Sequence, residues 1–239
     1  MRAEEFPPEA GLPDWAPEST LLELRMGSFA YGVDTETSDR DLLAVCVPPP
    51  LPWSDFLPGF DPPLRPFETF QWHGSPGVDW TVYGIGHYVR LCLENNPNLL
   101  ESLYAPADCV LRAKPVGRAL REARSLFPHR GLIDRYLGAA ATNLRSAIGR
   151  PDGSVDRRRA YHAVRLVDIA EAFVRTGEVD LRYRADRWRA IRAGEWPREK
   201  VQAEAENGIA LVRELAPGSP LPVRPRSEPV RNLLLGLTG

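Results

Sequence analysis

Three aspartates and one small-residue turn are the residues in this chain whose types and spacing suit catalysis. Asp39 and Asp41 stand two apart at the head of the apolar run Leu42 to Val47. On a β-strand, positions i and i+2 share a face, so both carboxylates point the same way. Asp79 lies in a second alternating segment, Val78 to Tyr83, where Asp79, Thr81 and Tyr83 share one face. Gly27-Ser28 ends a first apolar run, Thr20 to Met26, and its backbone N–H groups with the Ser28 hydroxyl can take phosphate. Three carboxylates on neighbouring strands suit hard divalent cations. Mg2+ or Mn2+ keeps some water there and takes its remaining ligands from substrate phosphates. The residues therefore predict catalytic, metal-holding Asp39, Asp41 and Asp79, with Gly27 and Ser28 binding the β- and γ-phosphates of a nucleotide. Displacement at phosphorus needs position and charge more than a side-chain nucleophile.

The elements that must hold these groups are legible from pattern. Thr20–Met26, Asp41–Val47, Glu68–Trp72 and Val78–Tyr83 read as strands, the second apolar on both faces and so fully buried. Residues 1–18 carry Pro7, Pro8, Pro13 and Pro17 and read as a loosely ordered lead-in, and Leu51–Phe67 as a long ordered loop. Ile85–Glu94 and Pro97–Tyr104 read as helices. Past Pro106 the pattern is helical throughout: Pro115–Leu126, Gly131–Ile148, Arg157–Thr176, Arg187–Ala193 and Arg198–Leu215. Pro217–Pro229 is expected to be extended and polyproline-like. The domain reading is a catalytic core at 1–110, a helical region at 111–215 and a Pro-rich tail at 216–239.

Composition narrows the class. In 239 residues with 43% hydrophobic content no apolar run approaches a membrane span, and the acidic, Pro-rich first residues lack the apolar core of a secretory signal. Cys46, Cys92 and Cys109 are widely spaced, which predicts buried thiols and a cytoplasmic protein. The net charge of −2 hides a division. Residues 1–110 hold 5 Lys+Arg against 17 Asp+Glu, whereas residues 111–192 hold 19 against 9. An acidic half suits metal and a basic half suits phosphates; mutual attraction of the halves explains the division equally well. Only Lys114 and Lys200 are lysine. His73, His87 and His129 show no metal-ligand spacing, and Asn96 and Glu101 read as architectural.

GSFAYG followed by SDRD resembles the signature of the DNA polymerase beta-like nucleotidyltransferase superfamily. More narrowly it resembles the bacterial and phage branch associated with RNA-repair operons. Tyr88–Tyr104 resembles that branch's helix with its NP-x-x-x-E segment, Arg159–Gly177 its YHAxR helix, and Ala190–Val201 its IRxGE segment, all in order over roughly residues 20–215. The resemblance implies an α+β fold, with a mixed β-sheet core flanked by helices and then a helical C-terminal region. It implies transfer of a nucleoside monophosphate from an NTP to an acceptor hydroxyl, on RNA, with release of pyrophosphate and Mg2+ or Mn2+ on the three aspartates. Within the YHAxR helix, His162 and Arg165 are the candidates to reach the nucleotide. Phe29 departs from the branch, where an Arg often follows Gly-Ser, as does Leu43-Ala44, where a small Gly often stands. Two alternatives stay open: a regulatory or RNA-binding module of the same fold with little catalysis, and transfer to a small molecule or protein.

Overall fold

The computed structural model describes residues 16–47, 69–74 and 77–236. The expected lead-in before residue 16, the loop at 51–67 and Glu68 lie outside the described residues. The chain divides into two compact units. One comprises Met1–Leu93, Asn98–Phe127 and Arg226–Gly239, the other Glu94–Pro97 and Pro128–Pro225.

The first unit is built on a mixed five-stranded sheet. After a short helix α1 (Ala16–Ser19) come β1 (Thr20–Arg25), the single-turn α2 (Gly27–Ala30), β2 (Arg40–Cys46), β3 (Thr69–Gly74) and β4 (Val78–Gly84). Helices α3 (Ile85–Leu93) and α4 (Pro97–Leu103) precede β5 (Val110–Ala113) and α5 (Pro115–Glu122). The strand order is β3-β4-β2-β1-β5. β2 is the central strand, which is why it reads as apolar on both faces. It pairs parallel with β4 and antiparallel with β1. One face of the sheet gathers Leu42, Ala44, Cys46, Trp80 and Val82, with Phe70, Trp72, Val78 and Leu111 packed against them. The opposite face carries Leu43 and Val45, aligned with Leu24 and Leu22 of β1. Helix α5 approaches it closely: a Cβ on Gly117 would lie 2.3 Å from the Leu21 carbonyl oxygen. Glu23 is fully buried in β1 across from Arg112 of β5, with Arg112 Nε 3.5 Å from its carboxylate. Burial outweighs that charge and pushes the Glu23 carboxyl up to about 7.

The second unit is helical: α6 (Leu132–Ile148), α7 (Arg157–Thr176), α8 (Ala185–Ala193) and α9 (Arg198–Leu215). Asp156 caps α7 by accepting from Arg159 N at 3.0 Å, and Gly177 ends it in the left-handed region at φ 77°. Asp168, 2% exposed, is the polar centre of this unit. It accepts from Arg184 Nη1 at 2.6 Å and Trp188 Nε1 at 2.7 Å, and Arg187 Nε lies 3.6 Å away. Arg130 donates to the carbonyls of Leu221 and Ser219, fastening the segment after α9.

Two expectations need correction. The chain past Pro106 is not helical throughout, since Val110–Ala113 forms the edge strand β5. The proline-rich tail is not extended to Pro229, since Ser227–Gly236 forms helix α10. Among the described residues no helix is long and apolar enough to cross a membrane.

Candidate active site

The sheet topology explains how the sequence-distant acidic residues meet. Parallel pairing of β2 and β4 brings both strand beginnings to one edge of the sheet. The antiparallel neighbours β1 and β3 run the other way, so their ends arrive at that same edge. Four segments thus converge there: the end of β1 with Gly27-Ser28, the start of β2 with Asp39 and Asp41, the end of β3 with His73, and the start of β4 with Asp79. Asp41 stands directly beside Asp79 in the ladder. Asp39, two residues before Asp41, is exposed, whereas Asp41 and Asp79 are half-buried.

The Gly27 turn is fitted against this pair. Met26 N donates to the Asp41 carbonyl at 2.7 Å, joining the end of β1 to the start of β2. Gly27 has φ 57°, in the left-handed region where a side chain is strained, and a Cβ there would lie 1.7 Å from Asp41 Oδ2. Glycine is required here on both counts. On the other side, Arg40 N donates to the Gly77 carbonyl at 2.7 Å, and a Cβ on Gly77 would lie 3.1 Å from Asp39 Oδ1. Ser28 is the second residue of α2 and is half-buried. The turn is held from below by Tyr31, whose hydroxyl donates to Glu101 Oε2 at 2.5 Å, both residues buried. Glu101 is therefore architectural, linking the α4 segment to the Gly-Ser turn.

Further contacts around this edge carry no signal in the sequence. His73 Nδ1 lies 2.9 Å from Asp79 Oδ1, because the antiparallel register of β3 and β4 places the two residues opposite each other. The contact uses one of the two carboxylate oxygens. The Arg25 guanidinium sits 3.9 Å over the Phe29 ring, a cation–π contact that sets an arginine beside the turn even though position 29 is Phe. Further along the same face of β4, the Tyr83 ring stacks on His87, and Arg90 lies 3.0 Å from His87 Nδ1. Among the described residues no three His, Cys, Asp or Glu side chains are already gathered as a metal-holding group.

His162 and Arg165 lie in the second unit on α7. Arg165 is 3% exposed although it sits off the apolar stripe of its helix, and its guanidinium lies 5.9 Å from the Tyr161 ring. Burial pushes His162 down to about 3, aided by the charges of Arg165, Arg158, Arg159 and Arg192. The ring is neutral at any physiological pH.

The sheet and this acidic edge, with a helical C-terminal region following, define a polymerase beta-like nucleotidyltransferase core. Residues 13–181 match the RNA repair pathway DNA polymerase beta family, and the chain belongs to that family. Among solved structures it is similar to a nucleotidyltransferase-like protein from Exiguobacterium sibiricum, at 11% identity and a TM-score of 0.30, over 88% of this chain and 71% of that one. No curated protein matches the sequence.

Proposed function

We propose that the protein is a metal-dependent nucleotidyltransferase that moves a nucleoside monophosphate from an NTP to a hydroxyl on RNA. The observation that carries this reading is the side-by-side placement of Asp41 and Asp79 in the parallel ladder, with Gly27 opening the space against Asp41 Oδ2. The donor set fits Mg2+ or Mn2+, because it offers carboxylate oxygens and leaves coordination positions for water and phosphate. Asp39, Asp41 and Asp79 would hold the ion. When bound, it supplies neutralising charge at the triphosphate and lowers the pKa of a coordinated hydroxyl.

The chain's own groups orient the reactants. Gly27 and Ser28 N–H groups and the Ser28 hydroxyl hold the β- and γ-phosphates, while Arg25 adds positive charge beside the turn. The acceptor oxygen attacks the α-phosphorus; its bond to phosphorus forms as the bond to pyrophosphate breaks, and the hydroxyl proton leaves toward the Asp79 side. His73, at Asp79 Oδ1, fixes which carboxylate oxygen faces the reactants. In the second unit, Arg165 is the group able to fork a phosphate, with His162 three residues before it on α7.

The test is incubation of the full chain with each α-labelled NTP, Mg2+ or Mn2+, and tRNA or a short RNA. Label should pass to RNA with pyrophosphate release, and Asp41→Asn should abolish transfer while melting like the parent. Absence of transfer to any acceptor, together with unaltered Mn2+ binding by Asp41→Asn, would overturn the proposal.

A further inference from the structure

We propose that one face of the β3–β4 pair is the acceptor shelf, which receives the end of a single-stranded RNA, with Gln71 and Thr81 as its polar floor and Tyr83 with His87 as its stacking end. The antiparallel register sets cross-strand pairs in a row behind the acidic edge: His73 with Asp79, Gln71 with Thr81, and Thr69 with Tyr83. Directly opposed residues share a face, so this row lies on the side of the sheet that carries Asp79. From Asp79 to Tyr83 it runs about 13 Å along the strand. Thr69, Gln71 and His73 are exposed, whereas Phe70 and Trp72, on the reverse side of β3, pack against the apolar cluster. On the β2 side the row is bounded by Leu43 and Val45, which stand beside Thr81 and Tyr83 in the ladder and are buried. The shelf is thus closed along β2 and solvent-exposed along β3. At its far end β4 runs directly into α3. His87 returns there to Tyr83, with the two rings 14° from parallel and their centroids 6.1 Å apart, and Arg90 lies 3.0 Å from His87 Nδ1.

Strand order decides which reactant belongs here. Across the edge the order β3-β4-β2-β1 sets out His73, Asp79, Asp41 and the Gly27-Ser28 turn from one side to the other. In-line displacement puts the attacking oxygen and the leaving pyrophosphate on opposite sides of the α-phosphorus. With the β- and γ-phosphates at the Gly27-Ser28 turn on the β1 side, the attacking hydroxyl comes from the β4 side, where the shelf begins at Asp79. The groups along it suit unpaired nucleotides. The Gln71 amide and the Thr81 hydroxyl each both donate and accept, which matches the edge of an unstacked base or a ribose 2′-hydroxyl. The Tyr83 and His87 rings offer stacking that tolerates any base.

The role of the shelf as the acceptor's seat rests on the nucleotidyltransferase reading, whereas its affinity for RNA does not. Binding and turnover are therefore measured separately, on the full chain. The RNA probe is a short fluorescent single strand followed by anisotropy without NTP, and the nucleotide probe is a non-hydrolysable analogue of each NTP followed by calorimetry with Mn2+. Tyr83→Leu should weaken RNA binding about tenfold. Gln71→Glu should weaken it about fivefold. Neither variant should move NTP affinity by more than about twofold, and Asn207→Asp, the same charge change at an exposed amide of α9, should leave both probes within that range. Where the parent transfers label, the two shelf variants should raise KM for RNA and leave KM for NTP alone. A parent that binds RNA through the shelf but transfers no label keeps this proposal and removes the nucleotidyltransferase reading. Gln71 is exposed, so its variant decides the matter even if Tyr83→Leu fails to fold. A parent that does not bind RNA, RNA affinity left unchanged by either variant that melts like the parent, an equal loss in Asn207→Asp, or a loss that falls on NTP instead of RNA overturns the proposal.

Discussion

Replacing Gly27 by alanine puts a methyl group where Asp41 already is. The new Cβ would lie 1.7 Å from Asp41 Oδ2, 2.5 Å from its Cγ and 2.9 Å from its Cβ. An ordinary contact of this kind is at least 3.4 Å, so the oxygen must retreat about 1.7 Å. Rotating the carboxylate cannot relieve the whole clash, because Asp41 Cβ is itself too close and is tied to the central strand. Keeping φ at 57° with a side chain adds about 1–2 kcal/mol of backbone strain. The expected destabilisation is about 1–3 kcal/mol, a fall in melting temperature of roughly 2–4 °C per kcal/mol for a chain of this size. The effect on catalysis is larger, since misplacing a reactive group by about 1 Å costs on the order of a hundredfold in rate. The assay pairs thermal melting with label transfer from NTP to RNA under saturating Mg2+. A Gly27→Ala protein that transfers within about threefold of the parent rate would refute the fit of this turn against Asp41.

Two further substitutions probe the buried charges. Glu23 has its carboxyl raised from 4.5 to about 7 by burial, so the stability it contributes is complete below about 4.5 and is lost as pH rises through 7. The total is about 3 kcal/mol, of which about 2 falls between pH 5.5 and pH 8. Glu23→Gln should flatten that part of the profile in urea unfolding; a variant with the parent's pH slope would contradict it. Asp168→Asn should cost about 3 kcal/mol in the same measurement, because it leaves Arg184 and Arg187 facing one another without their shared anion. A loss below about 1 kcal/mol would show that the network is dispensable.

Much of the sheet is legible in the amino-acid order alone. The strands β1, β2 and β4 announce themselves by alternation or by a short apolar run stopped by prolines, and the long helices by their 3.6-residue stripe and caps. β5 escapes because its four residues, VLRA, are all half-buried at a sheet edge and carry no alternation long enough to count. Helix α10 escapes because Pro229 reads as a breaker. At the third position of a helix, however, its missing N–H has no intrahelical partner to lose. Asp39 and Asp41 stand out by their spacing, and the place of Asp79 beside Asp41 follows from the pairing of β2 with β4. The groups around them leave no local trace: His73 meets Asp79 only through strand register, and Arg25 reaches Phe29 across a turn. Such proximities are decided by tertiary geometry, and no local pattern encodes them.

The alternation within β2 and β4 has a consequence for fidelity. Each strand sends its aspartate to one side and, one residue on, a large apolar group to the other, Leu42 after Asp41 and Trp80 after Asp79. Sliding either strand by a single residue would expose Leu42 or Trp80 and bury a carboxylate, so the misaligned state is heavily penalised. The greasy side of the sheet thus acts as a parity check on the acidic side. Alignment of the Asp41 and Asp79 carboxylates is maintained by side chains on the far side of the sheet, and overpacking that side, as in Ala44→Leu, would displace the two carboxylates before the protein melts.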